Sequence, residues 1–147
     1  KAFGLMNGAT HAEFIRGKAD GRWYFLETSS RVGGAHIPDL VEASTGINIW
    51  REWAKMEDHL LKNKVYKLGK PTGFSAGLLI ALANCKNPEH SEFMCDEVVK
   101  FLPIENHIGI VFRSNDEQKV LQCLDKAAKK VTEDFLTIIP PKDKPTA

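Results

Sequence analysis

The sequence predicts an α+β protein in which an antiparallel sheet packs with helices, and three observations carry that prediction. Aromatic and β-branched residues fill two short segments on either side of Asp20-Gly21, the chemistry of a hairpin turn. Helical spacing follows in Ile49, Trp53, Met56 and Leu60, with Arg51, Glu52, Lys55 and Glu57 facing elsewhere. Apolar strand-like runs over residues 74–83 and 107–113 then precede a last helical face made of Val120, Leu121, Leu124, Ala127, Ala128 and Val131.

Taken in order, the hairpin pairs residues near 10–14 with residues near 24–30. Gly33-Gly34 breaks the second strand, Pro38 stands in a first helical turn, and Gly46 stops that short helix. Asn48 is the expected N-cap of the second helix. Residues 67–73 are turn-rich, and residues 84–88 form a loop. Residues 91–102 mix Phe93, Met94, Val98, Val99 and Leu102 and read as a short helix or a strand pair, with the helix preferred. Asn115 or Asp116 caps the last helix. The expected organisation is residues 1–62 as the segment carrying the hairpin, 63–139 as a second α+β subdomain and 140–147 as a Pro/Lys-rich flexible tail.

The whole-chain properties narrow the function. A chain of 147 residues accommodates a real core, yet it is short for a complete nucleotide-dependent enzyme. It begins at Lys1 and enters sheet-like sequence almost at once, so it is expected to be the C-terminal part of something longer. With 20 Lys and Arg against 19 Asp and Glu, it lacks the concentrated basic surface that nucleic acid demands. No segment reads as a signal peptide or a membrane span. Cys85, Cys95 and Cys123 are odd in number and unrelated in spacing, which favours buried, reduced thiols in a cytoplasmic protein over a disulfide framework; with His90 they lack paired zinc-motif spacing.

The candidate site lies on the hairpin. A register centred near Asp20 sets Glu13 opposite Glu27, and strand alternation puts Glu27, Ser29 and Arg31 on one face. Two facing carboxylates destabilise a sheet unless a cation lies between them, and a hard divalent ion with oxygen ligands answers that need. A metal site that binds phosphate, built on Glu13 and Glu27, is the first expectation. An ordinary Glu27–Arg31 surface ion pair is the plainer alternative. His11 shares the Glu13 face and is expected to support its neighbour's carboxylate; His36 follows the glycines. Gly33-Gly34 serves either the strand-to-helix turn or close approach of substrate.

Asn7-Gly8-Ala9-Thr10-His11-Ala12-Glu13-Phe14, then Tyr24-Phe25-Leu26-Glu27-Thr28-Ser29-Ser30-Arg31-Val32-Gly33-Gly34, then Asp39-Leu40-Val41-Glu42-Ala43-Ser44-Thr45-Gly46-Ile47-Asn48 resembles the C-terminal half of an ATP-grasp domain over roughly the first sixty residues. The resemblance implies a C-terminal ATP-grasp lobe with ATP and Mg²⁺ or Mn²⁺ as cofactors. By motif position Glu13 and Glu27 would be metal ligands that also hold the nucleotide phosphates, Ser29 would take the place of the family's Asn in the metal set, and Arg31 would be the catalytic, anion-binding cation. Ala35 stands where biotin carboxylases carry a base for bicarbonate, and Arg31-Val32-Gly33-Gly34-Ala35-His36 looks more like carboxylate–amine (amino-acid) ligases. The resemblance therefore implies an ADP-forming ligase that activates a carboxylate as an acyl phosphate for an amine. Its partners would be small-molecule carboxylate and amine substrates and an N-terminal lobe of the same protein, with a second copy of the chain as a further candidate. The alternatives are a non-catalytic metal- or anion-binding module derived from that fold, and a carboxylase resembling biotin carboxylase.

Overall fold

The structure is a computed structural model that describes residue 4 and residues 6–135, so the 140–147 tail lies outside the described residues. The chain forms two compact units, residues 1–72 and residues 73–147.

In the first unit, β1 (His11–Arg16) and β2 (Trp23–Ser29) form the antiparallel hairpin. Gly17 and Arg22 close its loop by a 2.8 Å backbone hydrogen bond, and Gly21 adopts φ 67°, which suits glycine. Asp20 braces the turn by accepting from the Arg22 amide at 3.1 Å and from the Tyr24 hydroxyl at 2.6 Å. Those two donors, Tyr24 foremost, hold the Asp20 carboxyl below its ordinary range. The register is uniform from His11↔Ser29 to Glu13↔Glu27 and then shifts, so that Phe14 pairs with Phe25 and Leu26 is the extra residue of a bulge. Phe14 packs edge-on against Phe25 with ring centroids 5.7 Å apart, and Arg16 lies over the Trp23 ring.

Two helices follow. The helix α1 (Ile37–Thr45) has Pro38 in its first turn and ends on Gly46, whose φ of 72° and amide bond to the Glu42 carbonyl make the expected stop. Asn48 caps α2 (Ile49–Leu61) by accepting from the Arg51 amide at 3.0 Å, and its side-chain nitrogen donates to Glu42 of α1 at 2.7 Å. The stripe on α2 is only half-buried: Ile49, Trp53 and Met56 are partly covered, Leu60 is exposed, and Trp53 stacks against the exposed Trp50.

The second unit is a three-stranded antiparallel sheet of order β3-β5-β4, with β3 at Ser75–Leu82, β4 at Val98–Phe101 and β5 at His107–Ser114. The helix α3 (Glu117–Lys130), capped by Asp116, covers the sheet and runs into a π-helical turn at Val131–Phe135. Ile108, Ile110, Phe112, Val120, Ala127 and Val131 form the core. Gly77 lets α3 approach: a Cβ there would meet Val120 and Leu124 at 2.8 Å.

Three expectations are corrected here. Residues 91–102 are no helix; Ser91–Phe93 makes one 3₁₀ turn and the chain then extends into β4, where Val98 and Phe101 gain β5 as a partner. Tertiary pairing overrides the mixed apolar pattern. Leu121 and Ala128 of α3 are exposed, while Cys123 joins the expected Leu124 in packing inward. The thiols are not buried: Cys85 and Cys95 are exposed and Cys123 is half-buried, all three free. Partial burial, reinforced by Cys95 and Glu97 beside it, pushes the Cys123 thiol up to about 11.

Candidate active site

The candidate site is built on the hairpin and the turn leading into α1. Glu13 and Glu27 are direct cross-strand partners, and His11↔Ser29 is the next pair on the same face. His11 Nε2 lies 3.0 Å from Glu13 Oε1, so the imidazole supports that carboxylate as expected. The Thr28 hydroxyl donates to the His11 carbonyl at 3.1 Å and ties the two strands together at this end. Among the described residues, Glu27 has no cationic partner, and Glu13 has only the His11 ring.

Arg31 departs from the expected alternation. The strand β2 ends at Ser29, and Arg31 sits on a bend beyond it, with Nη1 donating to the Val32 carbonyl at 3.1 Å. The bend is anchored by Val32 and Gly33, which are buried while Arg31 and Gly34 stay exposed. Gly33 explains the anchor: a Cβ at that position would meet His11 Nδ1 at 2.9 Å and the Ile37 Cβ at 3.4 Å. Glycine thus lets the His11 ring pack closely on this turn, and any Cβ there would force that ring to shift. A Cβ at Gly34 would meet only Arg31 Nη1, at 3.8 Å, beyond its own chain neighbours, so the guanidinium lies over an open backbone. Among the described residues Arg31 forms no ion pair, and the plain Glu27–Arg31 surface pair does not occur.

The first turn of α1 is not a spare anion site. Ile37 N–H donates to Gly34, Pro38 has no N–H, and Asp39 and Leu40 both donate to the His36 carbonyl. Ala35 and His36 take positive φ of 47° and 58° to make this tight entry, and His36 Nδ1 lies 2.8 Å from Asp39 Oδ2. The uncommitted positive charge near the bend is thus that of Arg31.

The donor chemistry fits a hard divalent ion: two carboxylates face each other on a solvent-facing surface, with the Ser29 hydroxyl on the same side. Glu13 and Glu27 do not by themselves close a full protein cage, since the one trio of His, Cys, Asp or Glu ligand atoms within 4.8 Å of one another among the described residues is Cys95, Glu97 and Cys123. Mg²⁺ characteristically takes one or two carboxylates and completes its shell with water and phosphate oxygens. Lys67 and Lys70 line a separate cavity of about 370 Å³ in this unit with Glu52, Lys55, His59 and Tyr66.

Sequence reasoning found the carboxylate pair, the His11 contact and the glycine turn. It missed the bulge at Leu26 and the packing of Gly33 on His11, because neither has a local signature.

No protein-family model matches the chain, and no curated protein matches it. No helix among the described residues is long and apolar enough to cross a membrane. Among solved structures, the chain is similar to the crystal structure of phosphoribosylglycinamide synthetase from Anaerococcus prevotii, at 21% identity and a TM-score of 0.51. The match covers 94% of this chain and 38% of that one, so this chain spans well under half the length of that structure. At that identity the likeness speaks to fold alone: this chain shares with that structure an α+β arrangement of helices and antiparallel sheet.

Proposed function

We propose that the chain is the C-terminal part of an ADP-forming, ATP-dependent ligase that activates a carboxylate as an acyl phosphate for attack by an amine. The observation that supports this best is the pair Glu13 and Glu27, opposed on an exposed face, with the unpaired Arg31 on the bend that follows. Glu13 and Glu27 would hold Mg²⁺, with Ser29 contributing directly or through water. The metal, when bound, supplies charge neutralisation between the triphosphate oxygens. His11 fixes Glu13 through the 3.0 Å contact, which limits the rotamers that carboxylate must give up on binding. Arg31 would swing its guanidinium from the Val32 carbonyl to the transferred phosphoryl group, where a planar fork matches two oxygens at once. The exposed backbone at Gly34 leaves room for the substrate carboxylate beside it.

The other lobe would come from the rest of the same protein, in keeping with the 38% coverage of the solved relative. Phe14, Ile15, Trp23, Phe25 and Leu26 are all more than half exposed on the hairpin, apolar surface that such a lobe would cover. We assign the work of the enzyme to the cytoplasm, in line with three free cysteines.

The test is ADP release by the complete protein with carboxylates and amines supplied separately and together, with hydroxylamine added to trap an acyl phosphate as hydroxamate. Carboxylate-dependent hydroxamate supports the reading. ATP and metal binding without turnover on any carboxylate would favour the non-catalytic module.

A further inference from the structure

The second unit holds a donor cluster that the ligase reading does not use. Cys95 Sγ and Cys123 Sγ are 3.6 Å apart, and Glu97 Oε2 is 3.8 Å from Cys123 Sγ. The fold sets these groups firmly. The Cys95 carbonyl accepts from the Val98 amide, and the Glu97 carbonyl accepts from the Arg113 amide of β5 at 2.8 Å, so Cys95 and Glu97 are fixed at the mouth of β4. Cys123 projects from α3, which the core holds against the sheet through Val120 and Ala127.

We propose that Cys95, Glu97 and Cys123 form a binding site for a borderline-soft divalent cation of the Zn²⁺ type. The spacing supports it: with Zn–S about 2.3 Å and Zn–O about 2.0 Å, a tetrahedron has S···S edges of about 3.8 Å and S···O edges of about 3.5 Å. The observed separations are 3.6 and 3.8 Å. The carboxylate is divided in a useful way, since Lys119 Nζ sits 3.8 Å from Oε1 while Oε2 faces Cys123. All three side chains line one cavity of about 780 Å³, leaving a fourth position for water or an exogenous ligand. The third donor distinguishes this from a thiol pair awaiting oxidation, because a disulfide has no use for a convergent carboxylate. Two thiolates also select against Mg²⁺, so this site and the hard-oxygen pair Glu13 and Glu27 would not compete for the same ion.

The experiment uses the 147-residue chain, reduced and freed of metal by a chelator, then titrated with Co²⁺ and displaced by Zn²⁺. One equivalent should give a thiolate-to-cobalt charge-transfer band and tetrahedral visible absorption, and Mg²⁺ should leave both untouched. Cys123→Ser and Cys95→Ser should each weaken binding by more than the roughly 10–100-fold that loss of an outer-sphere partner costs, and Glu97→Gln should weaken it while keeping the band. Cys85→Ser should change nothing. Should a serine variant fail to fold, alkylation of the wild-type chain decides the matter: Zn²⁺ must protect Cys95 and Cys123 and leave Cys85 reactive. Absence of the charge-transfer band, equal alkylation of all three cysteines with and without Zn²⁺, or a chain that only joins Cys95 to Cys123 on oxidation would overturn the proposal.

Discussion

Replacing Gly33 with Ala tests how the packing of this unit supports its candidate site. The added methyl would lie 2.9 Å from His11 Nδ1 and 3.3 Å from Cε1, against the roughly 3.5–4.0 Å of ordinary contact, so the ring must retreat by about half an ångström or more. The far edge of that ring carries Nε2, 3.0 Å from Glu13. Overpacking of this kind costs about 1–3 kcal/mol. The stretched hydrogen bond adds only the low end of about 0.5–1.5 kcal/mol, because the Glu13 side chain is 44% exposed and solvent takes over much of the interaction. A net loss of about 2 kcal/mol follows, about thirtyfold in the folding equilibrium. Trp23, Trp50 and Trp53 are all the tryptophans of the chain and all lie within residues 1–72, so fluorescence during urea unfolding reports this unit alone. The double variant His11→Ala/Gly33→Ala should recover most of the packing loss, since the ring that clashes is gone. If Gly33→Ala unfolds at the wild-type urea midpoint, or the double variant shows simple additivity, the His11–Gly33 contact does not fix this site.

Other outcomes follow from the same geometry. If the other lobe lies elsewhere in the same protein, as proposed, the 147-residue chain alone should release no ADP at a ligase-like rate, because the triphosphate is then held from one side only; an assay on the purified chain checks this. In the complete protein, Arg31→Lys should lower kcat and kcat/KM together and leave the KM for ATP nearly unchanged, since a point charge replaces a bidentate fork. A rise in the KM for ATP alone would make Arg31 a ground-state nucleotide contact. Asp20, held below its ordinary value of 3.8 chiefly by the Tyr24 hydroxyl, contributes stability that is complete above 3.8 and lost as pH falls through its lower folded value. Tyr24→Phe should therefore flatten the acid-side loss of stability followed by tryptophan fluorescence.

Local chemistry accounts for what was legible in the sequence. The Asp20-Gly21 turn, the Pro38 start, the Gly46 stop and the Asn48 cap each act within a few residues, so hairpin and helices appear where expected. Glu13↔Glu27 followed from the turn centre because the bulge at Leu26 falls on the turn side of that pair. A bulge one position further from the turn would have broken the inference. What escaped was decided by distant partners. Val98–Phe101 is a strand because β5 pairs with it, and Arg31 leaves the strand because Val32 and Gly33 are drawn into the packing of His11 and Ile37. Cys95 and Cys123, 28 residues apart, meet only once α3 lies on the sheet.

The central claim is that Glu13 and Glu27 hold a metal ion for phosphoryl transfer, and Glu27→Gln in the complete protein tests it most directly. The substitution keeps size and shape on an exposed strand position, so fluorescence-detected stability should stay within about 0.5 kcal/mol of wild type. Removing one metal-bridging carboxylate should lower kcat for carboxylate-dependent ADP release by orders of magnitude and raise the Mg²⁺ concentration required. Wild-type turnover with an unchanged Mg²⁺ requirement would contradict the account.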